Sequence, residues 1–268
     1  MSIAELAPEE MSVRPAEYGS LGLFGIGTPQ ANPTVEHEFA LLRPPRVSLV
    51  TARLFSESAD SRTRLDDYLT DLGDTLRRFD ALRIDAFGFA CTGSSYMRPP
   101  QAERDLLNEL EDQLGYPIVT AAAAIEKVLN ELDAHRILII APYPQWLGDL
   151  GVRHWQRRGF DVTELELVRL PSDDTRHIYE LTSDSAIDVL LGMHYRDVDA
   201  VLFSGTGMPS LNAIRAATEM GLTALSSNLC LTWALLHGHG LPVEAPARGQ
   251  ALLSGWEQRL DAERPTET

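Results

Sequence analysis

The stretch Asp85-Ala-Phe-Gly-Phe-Ala-Cys91-Thr92-Gly93 recurs 114 positions later as Asp199-Ala-Val-Leu-Phe-Ser-Gly205-Thr206-Gly207. Each copy has the pattern of a buried strand that ends in a Thr-Gly turn and leads towards a helix. Two shorter matches keep the same order. They pair residues 27–30 with 142–145, and residues 115–120 with 221–226. The sequence therefore predicts two copies of one structural unit.

Strand and helix patterns alternate along the rest of the chain. Short apolar runs bounded by Gly, Pro or polar residues predict buried strands at residues 21–26, 46–52, 85–90, 118–120, 136–141, 161–168, 200–203 and 222–225. Amphipathic patterns predict helices at residues 63–78, 102–114, 122–132, 150–158, 183–193 and 210–220. This alternation is typical of βαβ units and a mainly parallel sheet.

The predicted fold class is therefore α/β, with two similar parallel-sheet units related by a pseudo-twofold axis and the active site between them. We predict a flexible tail at residues 1–18. The first unit would comprise residues 19–121 plus 227–268, and the second unit residues 122–226. Ligands of open α/β sheets bind beyond the carboxyl ends of the strands, so both Thr-Gly turns would face one cleft.

Composition excludes several classes of function. The 268 residues carry a formal net charge of −16, which argues against nucleic acid or an anionic membrane as a partner. A local pocket can still be positive and take a small anion. The sequence has no apolar run of transmembrane length. Its two cysteines show neither a disulfide framework nor zinc-ligand spacing, which favours a reduced, cytoplasmic setting.

Cys91 is the candidate catalytic residue. It ends a predicted strand and precedes the small polar run Thr92–Ser95, whose backbone N–H groups favour an anion. Because such a field lowers the pKa of a thiol, we expect iodoacetamide to react with Cys91 well below pH ~8.5, the reference pKa of a free thiol. Most lone cysteines are instead buried and inert, and that interpretation stays open. The interpretation as a buried, inert cysteine fits Cys230 better, because leucines flank Cys230 on both sides.

Polar residues at the other predicted strand ends are candidate ligands for a carboxylate or an oxyanion. Asn32 also fits the cap of a following helix, and Tyr143 fits a phenol donor to an oxyanion. The candidate binding residues are Thr28, Asn32, Thr92, Gly93, Ser95, Tyr143, Gly205, Thr206, Gly207, Ser227 and Asn228.

No motif indicates a metal or a cofactor. The glycine-rich stretch Gly22-x-x-Gly25-x-Gly27 does not match a dinucleotide fingerprint. The seven histidines show no metal-ligand spacing. We assign no catalytic role to any of these histidines, which are His37, His135, His154, His177, His194, His237 and His239.

The segment Phe89-Ala-Cys-Thr-Gly-Ser-Ser-Tyr96 resembles the first active-site turn of the aspartate/glutamate racemase superfamily. It is most similar to that of arylmalonate decarboxylase and maleate cis-trans isomerase. Four further blocks agree in order: residues 28–32, 141–143, 202–211 and 226–228. The resemblance covers about residues 20 to 240. It implies two similar α/β units with the active site between them, and carbon-acid chemistry without a cofactor or metal.

The resemblance also implies where reactive thiols should lie. Racemases of this superfamily place one cysteine on each side of the substrate. Maleate isomerase has both and uses the first to attack the double bond, whereas arylmalonate decarboxylase keeps only the second, as a proton donor. This chain has the first, Cys91, and Gly205 where the second is expected. Racemisation is disfavoured because one thiol cannot readily serve both faces of a substrate. A cysteine introduced at Gly205 is expected to restore a two-thiol site.

Three functions follow from this pattern. The first is a cofactor-independent decarboxylase of a substituted malonate or related diacid, whose enediolate Cys91 protonates. It would place the leaving carboxylate in an apolar pocket, for which the candidates are Met97, Met208, Pro209 and Leu229. The alternative is a maleate-type cis-trans isomerase with Cys91 as nucleophile and with Tyr143 or water as a proton source. The third is a non-catalytic protein that binds a small carboxylate. A small dicarboxylate is the expected partner in each case, and a homo-oligomer is left open.

Overall fold

The computed structural model describes residues 17–193 and 195–263. Most of the predicted tail at residues 1–18, and also His194, lie outside the described residues. The described strands are β1 Gly22–Pro29, β2 Val47–Leu54, β3 Ala86–Phe89, β4 Ile118–Thr120, β5 Arg136–Ala141, β6 Asp161–Leu167, β7 Ala200–Phe203 and β8 Ala224–Ser226. All eight coincide with predicted strands to within a few residues.

Helices separate most of the strands. They are α1 Thr34–Leu42, α2 Ser61–Thr70, α3 Leu72–Arg77, α4 Thr92–Tyr96, α5 Pro100–Leu114, α6 Ala121–Glu131, α7 Gln145–Arg157, α8 Ser183–Leu191, α9 Leu211–Glu219, α10 Ser227–Gly238 and α11 Trp256–Ala262, with a 3-10 helix at Thr175–Glu180. The single helix predicted over residues 63–78 is wrong. The chain forms α2 and α3 instead, because Asp71 leaves the helical conformation and ends α2. No helix in the described ranges is long and apolar enough to cross a membrane.

The strands form two parallel sheets of the same topology. Their orders are β2-β1-β3-β4 and β6-β5-β7-β8, so the second sheet repeats the first, strand for strand. Every neighbouring pair is parallel. This arrangement confirms the α/β prediction. It also brings the carboxyl ends of β3 and β7, where the two Thr-Gly turns begin, to equivalent places in the two sheets.

A repeated aspartate makes the duplication visible at atomic level. The Asp85 carboxylate accepts a hydrogen bond from the Leu23 backbone N–H at 2.7 Å. The Asp199 carboxylate accepts one from the Arg136 N–H at 2.8 Å. The backbone N–H groups of both aspartates donate back to the same residues, each at 2.8 Å. The same side chain therefore fixes the first strand of each sheet against the third.

The last helix of each repeat connects the two halves. Thr120 caps α6 by accepting from Ala123 N–H, and Ser226 caps α10 by accepting from Leu229 N–H. The two helices pack on each other, and α10 also contacts α1, β3, β4 and β8. The contacts of α10 with α1 and β3 favour grouping this helix with the first unit. The division into 19–121 plus 227–268 and 122–226 stays a prediction.

Candidate active site

A pocket of about 430 Å³, partly open to solvent, lies where the two Thr-Gly turns meet. Both halves of the chain line it. Its walls are formed by Pro29, Asn32, Arg64, Leu65, Tyr68, Cys91, Thr92, Gly93, Tyr143, Leu147, Thr175, Ile178, Tyr179, Gly205, Thr206 and Gly207. Eight of these residues were predicted from the sequence as site residues.

Cys91 stands at the N-cap position of α4, directly beyond β3. Its side chain is 5% exposed and lines the pocket. The Ser94 hydroxyl donates to the Cys91 Sγ at 3.1 Å. The strand end and the short helix thus hold the thiol at the pocket wall with a donor beside it.

The electrostatics of Cys91 correct one expectation. Burial raises the pKa of the Cys91 thiol. Hydrogen bonds from Ser94 and from the Gly93 backbone N–H, together with the charge of Arg64, lower this pKa by less. The turn therefore favours the thiolate as predicted, but the cost of burying a charged sulfur away from water outweighs this effect. The prediction that Cys91 reacts well below pH ~8.5 disagrees with this direction.

The two Thr-Gly turns are joined to each other across the pocket floor. The Thr206 hydroxyl donates to the Ala90 carbonyl at 2.8 Å. The Thr92 hydroxyl donates to Ser227 Oγ at 2.9 Å, and the same Oγ accepts the Gly205 N–H at 3.0 Å. Each turn is therefore held by groups that belong to the other repeat or to α10.

Asn32 and Asn228 support these turns from either side. Asn32 Nδ2 lies 3.4 Å from Thr206 Oγ1, while its Oδ1 accepts from the Thr34 N–H. Asn32 therefore lines the pocket and also accepts a backbone N–H from the first turn of α1, whose N-cap position is Pro33. Asn228 Nδ2 donates to the Thr206 carbonyl at 3.0 Å and to Glu38 Oε2 at 2.7 Å.

Four of the predicted site residues do not line the pocket. Ser227 and Asn228 lie behind its floor, because their polar groups are directed at the turns and at Glu38. Ser95 is fully buried beside Glu103. Thr28 is fully buried, and its hydroxyl has no hydrogen-bond partner among the described residues.

The backbone conformation at Gly205 would be strained if a cysteine stood there. Its φ is +113°, a conformation that L-residues rarely adopt. A Cβ added there would lie 3.2 Å from Pro142 Cδ and 3.3 Å from the Tyr143 hydroxyl. The phenol of Tyr143 thus stands beside the position that a second cysteine would occupy. The expectation that a cysteine at Gly205 simply restores a two-thiol site does not allow for this conformation.

Arg64, on α2, is a site residue that the sequence analysis missed. It is 3% exposed and is the only charged residue of the pocket wall described above. Its Nη2 donates to Ser61 Oγ, Asp174 Oδ1 and Thr175 Oγ1, at 3.0–3.1 Å. A single guanidinium therefore fixes the segment after β2 to the segment after β6 and places a positive charge at the pocket.

The internal repeat contained a signal for this contact. Asp60-Ser61 and Asp174-Thr175 are also 114 positions apart. Asp60 caps α2 and Asp174 caps the 3-10 helix, and the Ser61 hydroxyl accepts from the Thr175 N–H at 3.2 Å. Equivalent caps of the two repeats therefore meet at the pocket wall.

The apolar part of the wall also differs from expectation. It is formed by Leu65, Leu147 and Ile178. The residues predicted for it, Met97, Met208, Pro209 and Leu229, do not line the pocket. Met208 and Leu229 are fully buried in the core instead. None of the six described histidines lines the pocket, and the described part of the chain contains no cluster of side chains that could hold a metal ion.

Comparison with known proteins places this site in a family. The chain belongs to the arylmalonate decarboxylase family, whose model matches residues 34–252. A maleate isomerase from Pseudomonas putida is 27% identical over 256 residues, which cover 87% of this chain and 98% of that enzyme. The crystal structure of the maleate isomerase Iso from Pseudomonas putida S16 has a TM-score of 0.76 and 26% identity, over 88% of this chain and 99% of that one.

A crystal structure of arylmalonate decarboxylase shares the fold, with a TM-score of 0.65 and 18% identity over 86% of this chain and 98% of that one. These similarities confirm the predicted relationship to the decarboxylase and isomerase branch of the racemase-like superfamily. These relatives are enzymes, which confirms the prediction of an enzyme of this type.

The raised pKa of Cys91 gives a prediction for its alkylation. Only the thiolate reacts, so the rate of modification by iodoacetamide should rise about tenfold per pH unit between pH 7 and 9, with no midpoint in that range. Mass spectrometry of the modified peptide measures this rate. Cys230 is an internal control that should stay unmodified in the native protein, because it is fully buried and burial raises its pKa too. A midpoint near pH 7 would show that the donors around Cys91 outweigh its burial.

The conformation of Gly205 gives a prediction for stability. Gly205→Ala should lower the free energy of unfolding by about 1–3 kcal/mol, because φ is unfavourable and the Cβ contacts Pro142 and Tyr143. Gly221→Ala is the matched control. Gly221 has φ +79° and open space around its Cβ position, so only a conformational cost of about 1 kcal/mol applies. Urea unfolding measures both variants. Equal losses would mean that the contacts at Gly205 add nothing.

Proposed function

We propose that this protein is a cofactor-independent cis-trans isomerase of a maleate-like dicarboxylate, with Cys91 as the nucleophile. The observation that carries the proposal is a buried thiol at the carboxyl end of β3, in a pocket that both repeats line. Maleate isomerase relatives that match this chain over almost their full length support it. They favour isomerisation over decarboxylation as the reaction.

The proposed reaction begins when the Cys91 thiol gives its proton to solvent water and the resulting thiolate adds to one alkene carbon of the substrate. A carbon–sulfur bond forms, and the electron pair of the double bond moves onto the neighbouring carbon and its carboxylate. Rotation about the resulting single bond brings the two carboxylates to opposite sides. The electron pair then re-forms the double bond while the carbon–sulfur bond breaks, which releases the trans product and the thiolate.

Charge that develops on the substrate carboxylate needs preorganised donors. The donors that line the pocket are the backbone N–H groups of Thr92, Gly93, Thr206 and Gly207 and the phenol of Tyr143. The Thr92 and Thr206 hydroxyls already donate to Ser227 and Ala90. Because the turns are already hydrogen-bonded to each other, these donors need little rearrangement when charge appears. Loss of one such donor typically costs about 2.7–4 kcal/mol of barrier.

Arg64 gives the pocket the positive charge that a dianion requires. The whole chain carries a net charge of −16, so an approaching dicarboxylate meets an unfavourable average field. Arg64 is buried at the pocket wall, where water screens its charge less than at the surface. Asp174 offsets part of this charge at 3.0 Å.

Decarboxylation of a substituted malonate is the second candidate, and the match of the family model favours it. The thiol of Cys91 would then protonate the enediolate that remains after carbon dioxide leaves. Leu65, Leu147 and Ile178 would form the apolar surface against which the leaving carboxylate loses its water.

Proton NMR in D₂O distinguishes the two reactions. We expect maleate to give fumarate and phenylmalonate to remain unchanged, because the relatives favour the alkene substrate. Cys91→Ala should abolish the conversion, whereas Cys230→Ala, which removes a buried thiol outside the pocket wall, should retain it. An α-deuterated monoacid from phenylmalonate would instead establish the decarboxylase. Wild-type turnover in Cys91→Ala would contradict both mechanisms.

The role of Arg64 is tested by its effect on KM. Arg64→Met should raise the KM for maleate about tenfold, which corresponds to about 1.4 kcal/mol of lost attraction. Arg64→Lys should recover most of the loss, because the charge is retained. Arg62→Met is the matched control two residues away, since Arg62 lies over the Trp146 ring and does not line the pocket. An unchanged KM in Arg64→Met would exclude this role, provided that thermal unfolding shows an intact fold.

The cytoplasmic location, the small dicarboxylate as substrate, the absence of nucleic-acid and membrane partners, and a homo-oligomeric state remain predictions.

A further inference from the structure

Behind the pocket, four buried side chains form a continuous chain of hydrogen bonds that ends at Tyr143. The Trp155 indole Nε1 donates to the Tyr96 hydroxyl at 3.0 Å. The Tyr96 hydroxyl lies 2.9 Å from Ser204 Oγ, which lies 3.3 Å from the Tyr143 hydroxyl. Trp155 and Ser204 are fully buried, and both tyrosines are 5% exposed. Of the four, only Tyr143 lines the pocket.

The chemistry of the indole gives this chain a direction. An indole N–H can only donate, so the Tyr96 oxygen accepts from Trp155. Among the described residues, the only other hydrogen-bond partner of this hydroxyl is Ser204. A buried O–H that lacks an acceptor is costly, so Tyr96 donates to Ser204. Ser204 has then accepted from Tyr96, and its own proton goes to Tyr143.

This direction decides what Tyr143 offers to the pocket. Because its oxygen accepts from Ser204, its own proton is available for Thr92 or for a bound ligand. Burial and the nearby Tyr96 raise the pKa of Tyr143 well above its usual value, so the phenol keeps this proton. In the opposite direction, Tyr143 would donate to Ser204 and would present only lone pairs to an anion.

We propose that Trp155, acting through Tyr96 and Ser204, is a positioning residue that makes Tyr143 a permanent hydrogen-bond donor to a carboxylate or enediolate in the pocket. The inference rests on the proposed function, because it requires that the pocket binds a dicarboxylate. It assigns a purpose to three residues that do not touch the substrate. It also explains how the site keeps an oriented O–H donor, Tyr143, beside Gly205, where a second thiol is expected.

Kinetics separate positioning from a general loss of structure. Trp155→Phe removes the one group that fixes the direction and should lower kcat for maleate about tenfold, with KM changed less than twofold. In a Tyr143→Phe background the same substitution should change kcat less than twofold, because the oriented hydroxyl is already absent. Trp233→Phe is the matched control. Trp233 is also fully buried, and its indole N–H donates to the Glu244 carbonyl at 3.1 Å. Like Trp155, it does not line the pocket, but it donates to Glu244 instead of Tyr96.

Equal, additive losses from Trp155→Phe in both backgrounds would overturn the proposal, as would a matching loss of kcat in Trp233→Phe. Because Trp155→Phe also removes core volume, Tyr96→Phe serves as a second variant. It removes the hydroxyl that donates to Ser204, so Ser204 becomes free to accept the Tyr143 proton, and the loss of kcat should show the same dependence on Tyr143.

A binding experiment separates failure of this inference from failure of the proposed function. The protein would be labelled with 15N-tryptophan, and its four indole N–H signals followed during titration with succinate, an unreactive dicarboxylate. We expect succinate to shift the Trp155 signal in the wild type but not in Ser204→Ala, with the Trp256 signal as internal reference. Succinate binding seen by calorimetry without a shift of Trp155 would overturn the relay alone. Absence of binding to the wild type would overturn the dicarboxylate pocket, and the relay with it.

Discussion

The hydrogen bond from the Thr206 hydroxyl to the Ala90 carbonyl is the contact on which the site depends. It joins the turn after β7 to the residue before Cys91, so a side-chain hydroxyl of one repeat meets a backbone carbonyl of the other beside the reactive thiol. Parallel sheets place their strand ends at one edge, but they do not fix two separate sheets relative to each other. This contact, together with Ser227 between Thr92 and Gly205, provides that fixation and keeps the pocket donors preorganised.

Duplication alone would give a symmetric pocket. The proposed chemistry depends on the positions at which the two repeats differ, Cys91 and Gly205. One turn carries a thiol, and its counterpart carries a glycine with φ +113° beside a phenol. A thiol can add to an alkene and leave again, whereas a phenol with a raised pKa stays protonated and donates. In the proposed reaction the two sides of the pocket therefore offer a nucleophile and a hydrogen-bond donor rather than two equivalent bases. This division suits a reaction that needs addition and charge stabilisation and no exchange between two faces.

The sequence predicted those features that local patterns encode. All eight strands and the turns at Cys91 and Gly205 follow from short apolar runs and the internal repeat. Helix α10 has no amphipathic periodicity because residues 227–236 are buried on every side, so its pattern could not be recognised. The role of Arg64 depends on partners 110 and 111 positions away, and only the repeated Asp60-Ser61 and Asp174-Thr175 caps pointed to it. The φ angle of Gly205 was equally invisible, since glycine accepts either sign.

The pKa of Cys91 was predicted in the wrong direction for the same reason. The backbone donors of a turn can be predicted from the local sequence. Desolvation of the thiol instead depends on how completely distant segments of the chain cover the sulfur. In this pocket Tyr68 and Tyr179 lie close enough to interact with the thiol electrostatically, and burial raises the pKa of both phenols as well. Because the residues around this pocket are buried, every fixed donor and the one arginine have more effect on a bound anion. The burial that raises the pKa of the thiol is therefore the same property that, in the proposed reaction, would let Arg64 and the turn donors stabilise a carbanion.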